Sequence, residues 1–301
     1  MNISATVVTY NPNHDHIENI KKIALQFEKV FVVDNSEKYN EFINYLNVDN
    51  VFVIKNNTNL GIAAALNFGL KMAKDEGFEF CATFDQDSTI DNDFRNKMEA
   101  KLIECLDLDE FTVILAPNFF DRNSKSYAMF SKLTKWTCNN FRLDSSGEGL
   151  VKSSFAITSG SFVCLELFNE IGNYKEEYFI DHVDSEFCLR AQGLGYSIYI
   201  APNVILNHSI GERTKHRLLG VTIKANNHSP QRRYFIIRNG IAMTVDNLLI
   251  FPSHVYLCFA RLIHEFLAVV FFEDDKLKKL KAISYGVLDG LIKRFDNKFR
   301  Y

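Results

Sequence analysis

The sequence predicts a doubly wound α/β fold, in which helices cover both faces of a largely parallel sheet. Apolar, β-branched runs alternate with amphipathic segments through the first third of the 301-residue chain, as strands alternate with helices in such folds. Clusters of polar residues follow directly after four of these runs. The chain is long enough to bury one large domain and to carry an appended segment.

The first third of the chain holds four predicted strands and two predicted helices. Each strand is a run rich in Val, Ile or Phe that ends at a polar turn, and each helix has apolar residues at helical spacing. The predicted strands are Ile3–Thr9, Val30–Val33, Val51–Ile54 and Phe80–Phe84, and the predicted helices are His14–Glu28 and Ile62–Lys74.

The second half of the chain is more mixed. Its predicted elements are a strand over Thr112–Ala116, a helix over Asp184–Gln192 and a strand over Ser197–Leu206. The helix stops at Gly193, a common signal for a helix C-terminus. Residues 117–150 show no pattern that predicts a particular structure.

The C-terminal segment, residues 241–301, is predicted to be helical. Val255–Phe272 is almost wholly apolar, and its polar exceptions lie on one stripe: Arg261, His264 and Glu265. Lys276–Arg300 is a basic amphipathic pattern, with Leu277, Leu280, Val287 and Leu291 on one face and lysines at 276, 278, 279 and 281. Such a helix lies on an anionic membrane surface or packs against a domain, and the pattern fits both. A membrane span is disfavoured, because the polar stripe would cost on the order of several kcal/mol inside a bilayer.

Composition narrows the class of protein. The net charge of −3 gives no support for a nucleic-acid-binding face, which requires basic residues. Six cysteines occur without a C-x-x-C pair, so we expect reduced thiols in a cytosolic protein. The first residues lack a basic region followed by an apolar stretch, and we therefore expect no signal peptide.

The four polar clusters define the candidate site, because ligands of such sheets bind beyond the carboxyl ends of the strands. The clusters are Thr9-Tyr10-Asn11-Pro12, Asp34-Asn35-Ser36, Asn56-Asn57-Thr58-Asn59 with Gly61, and Asp85-Gln86-Asp87-Ser88.

Asp85 and Asp87 are the candidate metal ligands. In an extended strand end, residues i and i+2 point the same way, so both carboxylates can face one cation. Oxygen ligands suit Mg²⁺ or Mn²⁺ and leave coordination positions for substrate phosphates. A D-x-D pair is common in exposed loops, but its position after a buried strand favours a metal site.

Other candidates have two interpretations each. Asp34 accepts hydrogen bonds from a base or ribose, or caps a turn. Asn59 and Gly61 bring the backbone close to a nucleotide, or only begin a helix. Asp184 is a general base or a helix cap, and Glu186 with Arg190 forms an i,i+4 ion pair.

The remaining candidates are a histidine and three arginines. His208 is a third metal ligand at a strand end, or an ordinary core or surface histidine. Arg232, Arg233 and Arg238 contact a diphosphate, or form a solvated basic face.

In consistent order over residues 3–240, these motifs resemble those of the inverting family 2 glycosyltransferases, and most closely their bacterial rhamnosyltransferase-like branch. The motifs that carry the resemblance are Val7-Val8-Thr9-Tyr10-Asn11-Pro12, Val32-Val33-Asp34-Asn35-Ser36, Asn59-Leu60-Gly61-Ile62-Ala63 running on to Asn67, Phe84-Asp85-Gln86-Asp87-Ser88, Ser159-Gly160-Ser161, the run from Phe179 to Arg190, His208-Ser209-Ile210-Gly211, and the run from Arg233 to Asn239. Many members of the family have Trp where Phe187 stands.

The resemblance implies a Rossmann-like, GT-A-type domain over 1–240. The C-terminal helical segment over 241–301 follows it, and either associates with a membrane or packs against the domain. The implied donor-binding residues are Thr9, Tyr10, Asp34, Asn59, Gly61, Asp85, Arg233 and Arg238. The implied ligands of Mg²⁺ or Mn²⁺ are Asp85, Asp87 and His208. Asp184 matches the catalytic base, and Gly160 and Asp181 are expected on the acceptor side.

The implied function is inverting transfer of a sugar to a glycan or lipid-linked glycan in cell-surface polysaccharide synthesis. The favoured donor is dTDP-rhamnose, with UDP-hexoses as the alternative, and the expected location is the cytoplasm, at the inner face of the cell membrane. A nucleotidyltransferase is disfavoured, because the first strand ends without the Gly-rich, basic phosphate loop typical of that class. A non-catalytic nucleotide-binding scaffold is the third possibility, disfavoured by the intact carboxylates.

Overall fold

The computed structural model describes residues 1–38, 40–121, 125–208, 214–218 and 221–296. These residues belong to two compact units. The first comprises Met1–Lys132, Asn140–Glu176 and Asp184–Ser209, and the second comprises Leu133–Asn139, Glu177–Val183 and Ile210–Tyr301.

The first unit is the predicted α/β sheet with its helices. Its strands are β1 (Ile3–Thr9), β2 (Val30–Asp34), β3 (Val51–Lys55), β4 (Phe80–Asp85), β5 (Thr112–Asp121), β6 (Ser126–Tyr127), β9 (Val151–Lys152), β10 (Ser161–Cys164) and β11 (Ser197–His208). Its helices are α1 (His14–Ala24), α2 (Ile62–Asp75), α3 (Phe94–Leu108), α4 (Leu165–Ile171) and α5 (Val183–Gly193), with a 3₁₀ turn at Glu41–Tyr45. Between β6 and β9, β7 (Phe130–Leu133) pairs with β8 (Cys138–Phe141).

Strand direction decides which loops share an edge of this sheet. The described strands follow the order β3-β2-β1-β4-β10-β5-β11-β9, with β6 beside β5. β1 to β4 are parallel, β10 is antiparallel to both β4 and β5, and β11 is parallel to β5. The carboxyl ends of β1, β2, β3, β4, β5 and β11 therefore lie at one edge, together with the turn that enters β10.

The central strands are buried on both sides, which explains why their sequences do not alternate between apolar and charged residues. All residues of β1 and β2 are buried. Val7, Val32 and Phe84 belong to the same core as Ile17 and Ile20 of α1. The fold confirms the predicted α/β class, and all six predicted strand starts are at the observed residues. α1 ends at Ala24, four residues earlier than predicted.

The described part of the second unit contains three helices and two antiparallel strands that pair: α6 (Pro230–Asp246), α7 (His254–Phe272), α8 (Lys276–Leu291), β12 (Thr214–Leu218) and β13 (Val221–Ala225), with a 3₁₀ turn at Glu176–Tyr178 before them. Among the described residues, α7 is the helix whose length and composition would allow it to cross a membrane. The predicted boundary at residue 240 lies inside α6, and a functional division there stays a prediction.

The predicted apolar face of α8 is confirmed in part. Leu280 and Val287 pack against the core of the second unit, whereas Leu277 and Leu291 are exposed. Gly286 and Gly290 are buried as well. A Cβ atom on Gly290 would come within 2.6 Å of the Arg238 carbonyl oxygen. α8 and α6, the helix that carries Arg238, therefore approach each other at glycines of α8. The periodicity of apolar residues does not reveal such a contact.

A buried ion-pair network joins α6, α7 and α8. Arg233 is fully buried and contacts Glu265 of α7, and its Nη2 lies 2.8 Å from Glu273 Oε1. Lys279 donates to Glu273 Oε2 at 2.9 Å and is buried, so it is not part of a solvated lysine cluster. Because buried charges are costly without partners, these groups stabilise the unit only as a set.

Replacing Arg233 tests this network. We expect Arg233→Met to lower the free energy of unfolding by about 3–5 kcal/mol, because it leaves buried carboxylates without their cation. Arg232→Met is the control, since Arg232 is exposed and pairs with Asp181 at the surface, and we expect a change of about 0–1 kcal/mol. Urea unfolding followed by circular dichroism measures both. Equal, small changes would contradict the network.

Candidate functional site

The parallel register of β2, β1 and β4 brings the predicted polar clusters together. Thr9 pairs with Asp34, and Val8 pairs with Asp85. Asp34 in turn pairs with Lys55, directly before the Asn56 cluster. Four strand ends therefore place their loops side by side at one edge of the first unit.

Asp34 is held in one orientation. Its Oδ1 atom accepts hydrogen bonds from Thr9 Oγ1 at 2.9 Å, from Ser36 Oγ at 2.6 Å and from the Ser36 backbone N–H at 3.3 Å. The side chain is buried. Among the described residues, no donor reaches Oδ2, so that oxygen is available to a ligand. Thr9 fixes Asp34 through this hydrogen bond, and its expected contact with the donor stays a prediction.

Two asparagines of the predicted polar clusters, to which no separate role was assigned, frame the third cluster. Asn35 donates from Nδ2 to the Gly61 carbonyl at 2.9 Å, and its Oδ1 accepts from Asn56 Nδ2 at 2.8 Å. Asn59 Oδ1 accepts from the Gly61 N–H at 3.0 Å. Gly61 has a φ of +87°, which favours glycine. In the sequence, Asn35 and Asn56 each follow directly after a predicted strand, and this position is the signal that places them at the site.

Asp85 and Asp87 lie on a turn, and the expected extended arrangement is wrong. β4 ends at Asp85, and the Ser88 N–H donates to the Asp85 carbonyl oxygen at 3.1 Å. Asp85 is half-buried and Asp87 is exposed. Gln86 accepts at Oε1 from the Tyr10 N–H at 2.8 Å, so the turn is attached to the end of β1. Both carboxylates thus stay at the shared edge.

His208 ends β11 at the same edge. The neighbouring Asn207 pairs with Thr89, two residues after Asp87, so the backbone of His208 lies near the acidic turn. The His208 side chain and Ser209–Gly211 of its motif lie outside the described residues. Within the residues that are described, no group of three or more metal-ligating side chains forms.

Gly160 lies in the turn that enters β10. Its N–H donates to the Thr83 carbonyl oxygen at 2.7 Å, and its φ is +78°. A Cβ atom there would come within 2.9 Å of Pro117 Cγ and 3.1 Å of Phe94 Cζ. The preceding Ser159 hydroxyl hydrogen-bonds that of Ser88. Gly160 is therefore required by packing, apart from any contact with an acceptor.

Asp184 lies in the first turn of α5, half-buried. Its Oδ1 accepts from the N–H of Ser185 at 2.6 Å.

Burial, and secondarily the Asp184 carboxylate, raises the pKa of the Cys188 thiol well above its usual range. Burial also raises the pKa of Cys81 to about 11. Both thiols are thus protonated at neutral pH, and neither serves as a nucleophile.

The helix that carries Asp184 is anchored by partly buried polar contacts. Arg190 donates from Nε and Nη2 to the two oxygens of Glu186, each at 3.0 Å, which confirms the predicted i,i+4 pair. It also donates to the carbonyls of Ile171, Gly172 and Asn173.

The loop before α5 is fixed by α2. Asn67 and the Tyr174 backbone exchange two hydrogen bonds, each of 2.9 Å. Tyr174 also packs against Phe187 of α5 and Phe168, with ring centroids 5.1 and 5.0 Å away. Asn67 ends one of the family motifs and had no predicted role. These two hydrogen bonds give it one, because they hold the loop that leads to α5.

The arginines expected at the donor diphosphate have other partners, all in the second unit. Arg233 is occupied by the glutamates of the ion-pair network. Arg238 is fully buried, donates from Nη2 to the Glu177 carbonyl at 2.9 Å, and lies 4.9 Å from the Phe235 ring centroid. These contacts favour structural roles for both. Asp181, expected at the acceptor, pairs with Arg232 through both carboxylate oxygens at 3.2 Å.

Comparison with known sequences places these motifs in context. The model of the family described as "Glycosyl transferase family 2" matches residues 4–171. The chain is 32% identical over 300 residues to the dTDP-rhamnosyl transferase RfbF of Shigella flexneri, covering 96% of this chain and 95% of that protein.

Solved structures show the same fold. GalNAc-T7 with UDP, GalNAc and Mn²⁺ superposes with a TM-score of 0.61 at 12% identity, over 98% of this chain and 58% of that chain. S. aureus TarS 1–349 in complex with UDP-GlcNAc gives 0.58 at 16% identity, over 98% of this chain and 83% of that chain. At these identities the likeness shows the fold alone, which is of the GT-A type.

Gly160→Ala tests whether packing fixes this glycine. We expect the free energy of unfolding to fall by about 2–4 kcal/mol, from a strained left-handed backbone and from contact with Pro117 and Phe94. Gly149→Ala is the control, because a Cβ there meets no atom within 4 Å. Its expected change is within about 0.5 kcal/mol. An unchanged stability in Gly160→Ala, with a raised acceptor KM, would instead indicate an acceptor contact.

Proposed function

We propose a donor and a mechanism from the premise that this chain belongs to glycosyl transferase family 2. It is a glycosyltransferase that uses a nucleotide sugar in polysaccharide synthesis. The proposed donor is dTDP-rhamnose, supported by the name of the Shigella flexneri relative, dTDP-rhamnosyl transferase. For the acceptor we propose a glycan or lipid-linked glycan at the inner face of the cell membrane.

The observation that carries the proposal is the register that sets Asp34 and Asp85 at the ends of β2 and β4, the two strands that flank β1. In the proposed site, Asp34 Oδ2 accepts a hydrogen bond from the base or ribose of the donor. Asn59 and Gly61 bring backbone close to the nucleoside, and Tyr10 lines the same edge. Arg233 and Arg238 are left out, because their guanidinium groups have partners within the protein.

A divalent cation, Mg²⁺ or Mn²⁺, fits the acidic turn in its donor chemistry. Asp85, Asp87 and His208 would hold it, since oxygen and imidazole ligands suit these ions and an exposed Asp87 leaves room for phosphate oxygens. When bound, the ion neutralises charge on the diphosphate leaving group. GalNAc-T7, of the same fold, was solved with Mn²⁺.

Asp184 is the proposed general base. It takes the proton of the acceptor hydroxyl while that oxygen bonds to the anomeric carbon. The bond from that carbon to the diphosphate oxygen breaks on the opposite face, and the nucleoside diphosphate leaves. The product is inverted at the anomeric carbon, and no sugar–enzyme bond forms. Anchoring of α5 by Glu186 and Arg190 gives the carboxylate a fixed position, as positional catalysis requires. Asp181 remains the proposed acceptor-side residue.

A panel of nucleotide sugars tests the function. Incubation with Mg²⁺ or Mn²⁺ should release dTDP from dTDP-rhamnose faster than UDP from UDP-hexoses, and a chelator should abolish the release. Release of pyrophosphate that depends on a sugar 1-phosphate would favour a nucleotidyltransferase. A protein that binds nucleotide sugars without turnover would be a scaffold.

Asp184→Asn tests the base. We expect transfer to fall by about 10²–10⁴-fold, because the amide cannot take a proton. The affinity for dTDP should stay unchanged, as measured by calorimetry. Asp15→Asn, in the exposed first turn of α1, is the control and should keep full activity. Near-normal turnover of Asp184→Asn, with fold and donor binding intact, would show that another group is the base.

A further inference from the structure

One face of α7 is apolar and exposed along the whole helix. Its large side chains are 38–71% exposed: Val255, Tyr256, Phe259, Ile263, Phe266 and Phe271. At 100° per residue they fall within one half of the helix. On the opposite side of α7, Glu265, Ala268 and Val269 are buried against the rest of the second unit. We call the exposed side the α7 face.

The α7 face continues into two neighbouring turns of the second unit. Leu249, in the turn before α7, is 88% exposed, and Trp136 is 70% exposed. The Trp136 turn is attached to the start of α7, because Ser253 donates to the carbonyls of Thr134 at 2.6 Å and Lys135 at 3.2 Å. Single exposed apolar residues are ordinary, but a contiguous set of this size marks a surface that binds something apolar.

The groups around this surface indicate an anionic bilayer. Lys135 Nζ lies 5.4 Å from the Trp136 ring centroid, a pairing that suits the headgroup region. On α8, the exposed side combines apolar and basic side chains: Leu277, Lys278, Lys281, Tyr285, Leu288 and Ile292. Lysines beside exposed apolar side chains are typical of a helix lying in a membrane interface, where the amine reaches the phosphates and the stem stays apolar.

We propose that the α7 face and the exposed side of α8 bind the surface of an anionic lipid bilayer, with α7 inserted to the level of the headgroups. α7 does not cross the bilayer, because Glu265 pairs with the buried Arg233 and could leave only by breaking the ion-pair network. The inference rests on the proposed function only in that a lipid-linked acceptor would be presented at such a surface. It also extends the membrane contact, which the sequence pattern indicated only for Lys276–Arg300, to α7.

Vesicle flotation of the full chain tests the proposal. The vesicles contain phosphatidylglycerol and phosphatidylethanolamine, with phosphatidylcholine vesicles as the uncharged comparison. Phe259→Glu with Ile263→Glu should lower partitioning by about tenfold or more, since two apolar side chains no longer enter the interface. Ile103→Glu with Leu108→Glu, two exposed apolar residues of α3, is the matched control and should partition as wild type.

The charge component is tested separately. Lys278→Glu with Lys281→Glu should reduce partitioning onto the anionic vesicles by about fivefold or more per lysine, and should remove its dependence on salt. Circular dichroism checks the fold of every variant. Hydrolysis of the soluble donor should be unchanged in all of them, so a wild-type protein without hydrolysis would count against the proposed function and not against this surface.

Two results would overturn the proposal. One is wild-type partitioning by Phe259→Glu with Ile263→Glu. The other is a wild-type protein that does not float and forms a dimer in light scattering, with the same double variant monomeric, because the α7 face would then bind a second copy of the chain.

Discussion

The parallel register of β2, β1 and β4 is the constraint on which the site depends. Because Thr9 pairs with Asp34 and Val8 with Asp85, the loops after these strands must emerge side by side. The register assembles them, and the buried hydrogen bonds from Thr9 and Ser36 then fix the Asp34 carboxylate while the Gln86 side chain attaches the acidic turn to Tyr10.

The proposed base is held by a different kind of interaction. α5 is connected to the sheet through packing and through side-chain contacts to loop backbone, chiefly those of Arg190 and Asn67. Strand-end residues are positioned by backbone pairing, which tolerates changes in side chain. Asp184 is positioned by side chains, and substitution of its supporting residues should therefore disturb acid–base chemistry more readily than donor binding.

Much of the fold could be predicted, because β-branched runs and helical periodicity are local signals. β1 is predicted to the residue, and β2, β3 and β4 differ by one residue at their ends. The geometry of Asp87 could not be predicted, since it depends on a turn closed by the Ser88 N–H. The burial of Arg233 depends on Glu265 and Glu273, which follow far along the chain. The packing of α8 depends on Gly286 and Gly290, where the backbone of α6 comes close. A glycine is not counted as apolar in a periodic pattern, so the pattern does not predict this contact.

The proposed binding of the donor diphosphate by the acidic turn after β4 requires a divalent cation. Calorimetric titration of dTDP into the wild type and into Asp85→Asn, each with Mg²⁺ or Mn²⁺ and again with a chelator, measures this requirement. We expect the cation to strengthen dTDP binding by about tenfold or more in the wild type, and to have no effect in the variant. Equal dTDP affinity with and without the cation, or a full cation effect in folded Asp85→Asn, would contradict this requirement.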